Sequence, residues 1–128
     1  TLAASLDATR AVVSPLLINE DRSGRAASGL LLGTDVADYL VSRGMPFRRA
    51  HEVVAAMVRR LLAEGRDFSS LTMNEWREAS EMFGEDAPRA ATALASVQAR
   101  RTPQSTNPEA VRAALEDCRG WTKKRFQV

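Results

Sequence analysis

The sequence predicts an all-α protein, a small orthogonal bundle of about six short helices with a protruding N-terminal helix. Three observations support this prediction. Every strong apolar periodicity in the chain is helical, and no stretch alternates apolar and polar residues as a strand does. Glycine and proline fall where helices end and begin. A chain of 128 residues is also long enough to bury a core within one domain.

Composition and charge narrow the class of protein. Apolar and charged residues occur in the proportions of a soluble globular protein, and no apolar run approaches the roughly 20 residues of a membrane helix. The net charge is only +2, and the basic residues do not form a large block in the sequence. We therefore expect neither a membrane nor a nucleic-acid partner.

The chain start and the cysteine content suggest a cellular context. Residues 1–10 lack the basic start and apolar run of a signal peptide. There is no initiator Met, so we expect a fragment or a processed chain. The single cysteine, Cys118, excludes an internal disulfide, which fits a reducing compartment.

The first predicted helix has an apolar stripe at helical spacing, formed by Leu2, Leu6, Thr9, Val12 and Val13. Pro15 ends or kinks this helix. Residues 19–24 are polar and turn-like. Residues 26–32 predict a short apolar helix closed by Gly33.

Two helices joined by a short hinge are predicted in the middle of the chain. Thr34 caps the first, with Asp35 and Asp38 in its first turn, where the helix dipole favours acids. Gly44 suits the left-handed position that ends a helix. Pro46 suits the first position of the next helix, where its missing N–H is not needed.

The helix after the hinge is predicted to be the longest, from about residue 46 to residue 63, and closed by Gly65. One of its faces is apolar and the opposite face is charged, which is typical of a helix that packs on a core. The apolar face comprises Phe47, Ala50, Val54, Met57, Val58 and Leu61.

A capping box opens the following helix, with Thr72 as cap and Glu75 reaching back to it. This helix is expected to end near residues 83–84, and a weaker helical stretch follows Pro88. Residues 100–106 are polar, contain a proline and are predicted to form a loop.

The last helix is predicted to start with Asn107 as cap and Pro108 at its first position. Gly120 is expected to end it. Its apolar face is formed by Val111, Leu115 and Cys118.

His51 and Cys118 have the side chains most often used in acid–base or nucleophilic chemistry. His51 is the only histidine and lies at the edge of an apolar helix face. Glu52 points about 100° away around the helix, so we favour a structural, hydrogen-bonded histidine over a catalytic one. Cys118 has no basic cluster beside it, so we favour a small core residue over a reactive thiol.

Asp35 and Asp38 lie on nearly one face of a helix start and could form a metal or acid–base pair. Without a histidine or a third acid this is a weak metal signal, and we favour capping and dipole roles.

Small and hydroxyl residues complete the candidates. The glycines of a phosphate-binding loop come directly after a strand. Gly24, Gly29 and Gly33 follow no predicted strand, so we expect no such loop. The hydroxyl pairs at residues 69–70 and 105–106 have no base partner in sequence and are interpreted as turn residues.

The helix pair around Gly44 is also compatible with a helix-turn-helix, whose second helix would expose base-reading residues. Glu52 and Glu64 offset the basic residues there, and no basic arm flanks them. The arginines concerned are Arg48, Arg49, Arg59 and Arg60. We therefore predict no nucleic-acid interface.

The string TDVADYLVSRGMPFRRAHEVV at residues 34–54 is the most distinctive part of the chain. It resembles the C-terminal domain of argininosuccinate lyases, which belong to the fumarase/aspartase superfamily. That family has a Thr-Asp-x-Ala-Asp-Tyr-Leu-Val helix followed by Gly-Met-Pro-Phe-Arg and Ala-His-Glu-x-Val. The resemblance covers most of residues 1–115. It departs at Gly24, and Gln-Ser-Thr at residues 104–106 replaces a Gly-Gly-Thr turn.

The resemblance implies a domain of a homotetrameric carbon–nitrogen lyase. Such an enzyme cleaves argininosuccinate to arginine and fumarate in cytoplasmic arginine biosynthesis. The family's catalytic Ser lies in a loop that begins Gly-Ser-Ser, its catalytic His lies further upstream, and neither is in this chain. We therefore assign no catalytic, cofactor-binding or metal-binding residue and expect the isolated chain to be inactive.

Three parts of the chain are expected on this basis. Residues 1–18 resemble the end of a long central-domain helix, residues 19–120 form the C-terminal helical domain, and residues 121–128 form a disordered tail. The expected partners are the rest of a lyase subunit and its tetramer, with self-association through residues 1–14, whose apolar stripe lacks neighbours.

Two alternatives remain open at this point. The chain could be a non-catalytic helical module that binds a protein or regulates an enzyme. It could also belong to a paralogous lyase that acts on another fumarate-releasing substrate.

Overall fold

The computed structural model describes residues 1–126 and leaves Gln127 and Val128 outside. This range contains eight α-helices, two short 3₁₀ turns and no strand. The all-α class is confirmed, with more helices than the six expected. The helices are α1 (Leu2–Val13), α2 (Glu20–Ala26), α3 (Gly33–Ser42), α4 (Phe47–Glu64), α5 (Met73–Ala79), α6 (Ala87–Ala90), α7 (Ala93–Gln98) and α8 (Pro108–Phe126), and the 3₁₀ turns lie at Gly29–Leu32 and Phe68–Ser70.

The core lies between α3, α4 and the aromatic residues that follow them. α3 packs along α4, and α6 in turn packs on α3. The Trp76 ring stacks on Phe68 at 5.8 Å between centroids and meets Phe83 edge-on at 4.9 Å. The buried core residues are Leu32, Val36, Ala37, Leu40, Ala50, Val54, Met57, Leu61, Phe68, Trp76, Phe83 and Ala87.

The hinge between α3 and α4 is a Schellman turn. Gly44 has φ +98, as predicted for a helix-ending glycine. Its N–H donates to the Val41 carbonyl at 2.9 Å, and the Met45 N–H donates to the Leu40 carbonyl at 3.1 Å. Pro46 lies one position earlier than predicted, immediately before the first residue of α4.

The start of α3 differs from the prediction. Gly33 is the first residue of α3 rather than the end of an apolar helix, and Thr34 lies inside α3 rather than capping it. Leu32 occupies the cap position, with no side-chain cap bond. The reason is that the 3₁₀ turn over Gly29–Leu32 runs directly into α3, so the chain makes no break there for a capping side chain to fill.

Residues 20–26 form α2, where a turn was predicted. The Asn19 side chain accepts a hydrogen bond from the Arg22 N–H at 2.9 Å, and Glu20 and Asp21 lie in the first turn. The polar residues that suggested a turn are therefore the capping signal of a short helix.

α4 closely follows its predicted course and ends at Gly65, which has φ +65. Ala50, Val54, Met57 and Leu61 are buried, whereas Phe47 is 63% exposed. The predicted core face was therefore wrong at Phe47, which lies in the first turn, where the apolar stripe leaves the core. At 18 residues α4 is also shorter than α8, which has 19.

The capping box of α5 is confirmed, since Thr72 and Glu75 each accept a bond from the other's backbone N–H. The helix ends at Ala79, before the predicted residues 83–84, because Ser80 adopts an extended conformation. This turn carries Phe83 back into the core. The weak helical stretch expected after Pro88 forms two short helices, α6 and α7.

α8 starts as predicted, with the Asn107 side chain accepting a bond from the Glu109 N–H at 2.9 Å. It does not end at Gly120, because a single glycine weakens a helix by about 1 kcal/mol without removing a backbone bond. Residues 121–126, expected in a disordered tail, continue the helix. Residues 127–128 of that tail lie outside the described residues.

The helices at the two ends of the chain bury no side chain. All residues of α1 are exposed, including its apolar stripe, so α1 protrudes as expected. Val111, Leu115 and Cys118 on α8 are also exposed, which corrects the buried face predicted for them. Within residues 1–126, no helix is both long and apolar enough to cross a membrane.

The packing of α4 yields a stability prediction. Leu61 is 1% exposed and Arg59 lies on the outer face. Leu61→Ala should lower the free energy of unfolding by about 2–5 kcal/mol, since it leaves a cavity in the core. Arg59→Ala should change it by less than about 0.5 kcal/mol. Urea denaturation measures both, and equal shifts of the two midpoints would contradict this assignment of faces.

Candidate functional site

A dense polar cluster lies between the end of α4 and the start of α5. Arg66 donates from Nη1 to Glu75 Oε1 at 2.8 Å and from Nη2 to Oε2 at 3.1 Å. Arg60 donates to the same Oε1 at 3.2 Å. Glu64 accepts from both arginines, at 3.0 and 2.8 Å. The cluster thus joins two arginines to two carboxylates across the helix junction.

Glu75 is the most strongly perturbed carboxylate of the cluster. The hydrogen bonds from Arg66 lower its pKa to about 2, and those from Thr72 act in the same direction. The same bonds raise the pKa of Arg66 above its ordinary value. Glu75 is therefore held ionised as a structural anion and is unsuited to take up a proton near neutral pH.

A groove of about 470 Å³ lies beside this cluster, between α4 and α5. Its floor is apolar, and its rim is charged. Arg49 pairs with Glu52 at 3.2 Å, and Arg60 lies 3.7 Å from Glu78. The floor includes Val53, Met57, Leu61 and Leu71. Because these rim charges pair with one another, the groove has no strong preference for an anionic or a cationic ligand.

A second cluster connects α3 to the segment before α6. Tyr39 donates to Asp86 Oδ1 at 2.7 Å, and Arg43 Nη2 donates to both oxygens of Asp86, at 2.8 and 3.0 Å. The Gly84 N–H donates to the Tyr39 oxygen at 3.2 Å. The bond from Tyr39, helped by Arg43, lowers the pKa of Asp86. Burial, followed by the bond to Asp86, raises the pKa of Tyr39.

A side chain at position 84 would require the end groups of this cluster to shift. A Cβ atom there would lie 2.8 Å from Asp86 Oδ1 and 3.3 Å from both Tyr39 Oη and Arg43 Nη2. The Tyr39 hydroxyl and Arg43 Nη2 both donate hydrogen bonds to Asp86 Oδ1, so a shift of any of these atoms would disturb those hydrogen bonds. The cluster therefore connects residues 84–86, which precede α6, to α3.

Asp35 and Asp38, the candidate acid pair, have separate environments. Asp35 lies in the first turn of α3 and accepts a hydrogen bond from Arg100 Nη2 at 3.0 Å, which holds the end of α7 against α3. Asp38 is exposed. Asp35 therefore belongs to an ion pair with Arg100, whereas Asp38 is a surface residue.

His51 is exposed and packs its ring on Phe47 at 4.3 Å between centroids. Within residues 1–126 its ring makes no side-chain hydrogen bond, so the expected hydrogen-bonded histidine was wrong. The shallow depression that it lines is otherwise formed by Leu30, Leu31, Gly33, Thr34, Val54, Ala55 and Val58, without an acid among these described residues. The structure therefore places no base partner beside it.

The remaining candidates lie apart from one another. Cys118 is exposed on α8. Ser69 and Ser70 bond to the Asp67 side chain and carbonyl, and Ser105 bonds to the Arg100 carbonyl, as turn residues do. Gly24 lies within α2, Gly29 within a 3₁₀ turn and Gly33 at the start of α3, so they form no common loop.

The arginines that suggested a helix-turn-helix are all exposed on α4. Glu52 pairs with Arg49, and Glu64 pairs with Arg60. Arg48 and Arg59 alone do not make the dense basic surface that DNA binding needs.

Sequence reasoning missed the ion pairs that organise this structure. Arg43 and Asp86 are 43 residues apart, and Arg100 and Asp35 are 65 apart. No local pattern indicates such pairs. Glu75 was predicted only as a capping residue. The position of Arg66, directly after the helix-ending Gly65, is a signal that could have indicated its pairing with Glu75.

Comparison with known proteins places this domain among its relatives. The family described as "Argininosuccinate lyase C-terminal" matches residues 30–98. An argininosuccinate lyase of Geobacter sulfurreducens is 50% identical over 91 residues, 71% of this chain and 20% of the relative. The lyase of Thermus thermophilus is 40% identical over 116 residues, 90% of this chain and 25% of the relative. The chain thus spans a quarter or less of the length of these relatives.

The Glu75 cluster predicts an acid-sensitive stability. The pKa of Glu75 is about 2 in the folded chain against an ordinary 4.5. Because the folded-state value is the lower one, ionised Glu75 stabilises the fold above pH 4.5, and this contribution is lost as the pH falls toward 2. Urea denaturation at decreasing pH should show the loss. Glu75→Gln should remove part of this slope.

The matched control for this experiment is Glu81→Gln, which neutralises an exposed carboxylate just after the same helix. It should leave the dependence of unfolding free energy on pH close to that of the unmodified chain. If Glu75→Gln also leaves the slope unchanged, the cluster does not contribute as described.

Proposed function

The chain belongs to the argininosuccinate lyase C-terminal family, and we propose that it is the C-terminal domain of a lyase that cleaves argininosuccinate to arginine and fumarate. The main observation in support is that the family match over residues 30–98 covers all the buried core residues, from Leu32 to Ala87. The proposal places the protein in cytoplasmic arginine biosynthesis.

The division of the chain follows from this proposal. Residues 1–18 are the end of a long central-domain helix, and residues 19–120 are the C-terminal helical domain. The exposure of every residue in α1 supports this division, since a helix from another domain would find its packing partners there. The partners of the domain are the rest of the lyase subunit and its tetramer.

We infer that the domain contributes no catalytic residue. Three carboxylates have a lowered pKa, Glu64, Glu75 and Asp86, and each is held ionised by hydrogen bonds that include one from an arginine. His51 has neither an acid nor a nucleophile beside it in its depression. Among residues 1–126, none of these groups is therefore arranged to take a proton from carbon and return it to nitrogen.

Complementation tests the proposal. The whole reading frame that encodes this chain, expressed in a bacterium lacking argininosuccinate lyase, should restore growth without arginine. The 128-residue chain alone should not, and the purified chain should form no fumarate from argininosuccinate, measured by ultraviolet absorbance. A whole protein that is folded and abundant but fails to restore growth would overturn the proposal.

A second candidate function is a non-catalytic helical module that binds a protein or regulates an enzyme. The exposed apolar side chains on α1 and α8 favour it, because such faces are typical of interaction surfaces. The reading frame separates the two functions: a segment beginning Gly-Ser-Ser upstream of the chain indicates the lyase. A third candidate, a lyase for another fumarate-releasing substrate, would restore no growth but would release fumarate from that substrate.

Self-association through residues 1–14 is a prediction of this proposal, because the stripe on α1 is unpartnered. Leu6 is 60% exposed and Val13 is 61% exposed. Leu6→Asp with Val13→Asp should lower the average mass measured by light scattering over a range of concentrations. Ala4→Asp with Ala11→Asp adds the same charge on the opposite face and should not. Equal masses for the two double variants would contradict the prediction.

A further inference from the structure

Helix α8 lacks the packing that a helix of its composition needs. None of its residues is buried, and Val111, Leu115, Trp121 and Phe126 are 44–61% exposed. Helices in water draw most of their stability from a packed apolar face. Gly120 near the middle of the second half lowers the intrinsic stability further, by about 1 kcal/mol. A fully formed α8 therefore calls for a partner surface.

The exposed side of α8 has the pattern of a helix–helix seam. Val111, Leu115, Cys118 and Thr122 recur at alternating spacings of four and three, the spacing of a seam that faces another helix. Ala114 and Trp121 flank this seam on one side, a small residue and a large one separated by a heptad. The seam is short, so its partner must match it along the whole helix.

Charge identifies that partner. The first half of α8, residues 108–117, carries Glu109, Glu116 and Asp117 against Arg112, a net charge of −2. The second half, residues 118–126, carries four basic residues and no acid, a net charge of +4: Arg119, Lys123, Lys124 and Arg125. A second copy of α8 that runs in the opposite direction has the complementary charge distribution: its basic half faces the acidic half of the first copy, and its acidic half faces the basic half.

We propose that α8 pairs with α8 of a second copy of this chain, antiparallel, with the two-fold axis close to Cys118. In this register Leu115 lies opposite Trp121 of the second copy, and the large indole covers the small side chain of Ala114. The acidic half of each helix lies along the basic half of the other. A parallel pair would instead place like charges together along its length.

Two other surfaces, an anionic membrane and helix α1, fit the charge pattern less well. An anionic membrane would attract residues 118–126 but repel the acids of residues 108–117. Helix α1 carries only Asp7 and Arg10, so it offers no complementary gradient. These surfaces are alternative outcomes of the experiments below.

Cross-linking tests the axis. The full chain with Leu6→Asp and Val13→Asp, in which α1 does not contribute, should give a covalent dimer with a short bis-maleimide that joins two Cys118 thiols. Val111→Cys with Cys118→Ser should give less than a tenth as much. In an antiparallel pair its two thiols are separated by 14 residues of rise, about 21 Å, whereas a parallel pair would bring them together.

Charge variants test the complementarity. Lys123→Glu with Lys124→Glu should raise the dimer dissociation constant at least tenfold at low salt, measured by sedimentation. Arg48→Glu with Arg59→Glu makes the same charge change on α4 and should have little effect. Both measurements use the α1-modified chain, so they are independent of association through α1 and of lyase activity.

Four results would overturn the proposal. They are a monomer at high concentration, equal effects of the two charge variants, efficient cross-linking through position 111, and binding of the monomer to vesicles of anionic phospholipid with no dimer in solution. Dimer formation that is centred on Cys118 and sensitive to residues 123–124 would support it.

Discussion

The Schellman turn at Gly44 is the constraint on which the rest of the structure depends. Its φ of +98 lies in the region that glycine adopts without strain, and it reverses the chain so that α3 lies along α4. Ala37 and Ala50 are both fully buried, and Val36, Leu40, Val54 and Leu61 belong to the same core cluster. A side chain at position 44 would strain the turn that connects these two helices, because the residue would have to adopt this positive φ.

A second reversal, at Gly65, determines where the polar groups lie. It directs Arg66 away from the core, so that its guanidinium reaches both oxygens of Glu75 while α5 starts from the capping box. The aromatic group beneath it buries Trp76 completely, although the indole Nε1 finds no hydrogen-bond partner within residues 1–126. The same ring packs against Phe68 and Phe83, and such aromatic pairs stabilise a core beyond the area that they bury. The ion pairs lie around this core and fasten the segments that cover it.

The parts of the fold that the sequence predicted are those determined by local chemistry. The extent of α4, the glycine turns at positions 44 and 65, and the Thr72 capping box all follow from spacing and backbone preference within a few residues. The ion pair between Arg43 and Asp86 could not be predicted, because it depends on how segments that are distant in the sequence meet in the fold. Helical periodicity likewise shows that α8 has an apolar face, but it does not show whether this chain supplies the surface that covers it. The absence of a paired acid beside His51 is also a property of the folded arrangement.

The buried core that stabilises the fold and the exposed apolar faces that could bind a partner thus lie in different parts of the chain. Within residues 1–126, every buried side chain lies in the segment between residues 29 and 98, where Leu31, Phe47, Leu62 and Leu94 are the large apolar residues left exposed. Helices α1 and α8 flank it with apolar faces that it does not cover. Because the stability of a helix in water depends on packing its apolar face, the stability of these two helices depends on the surfaces that cover them. Association through α1 or α8 would therefore cover apolar side chains outside the core, and it would not require the Gly44 turn and its two helices to rearrange.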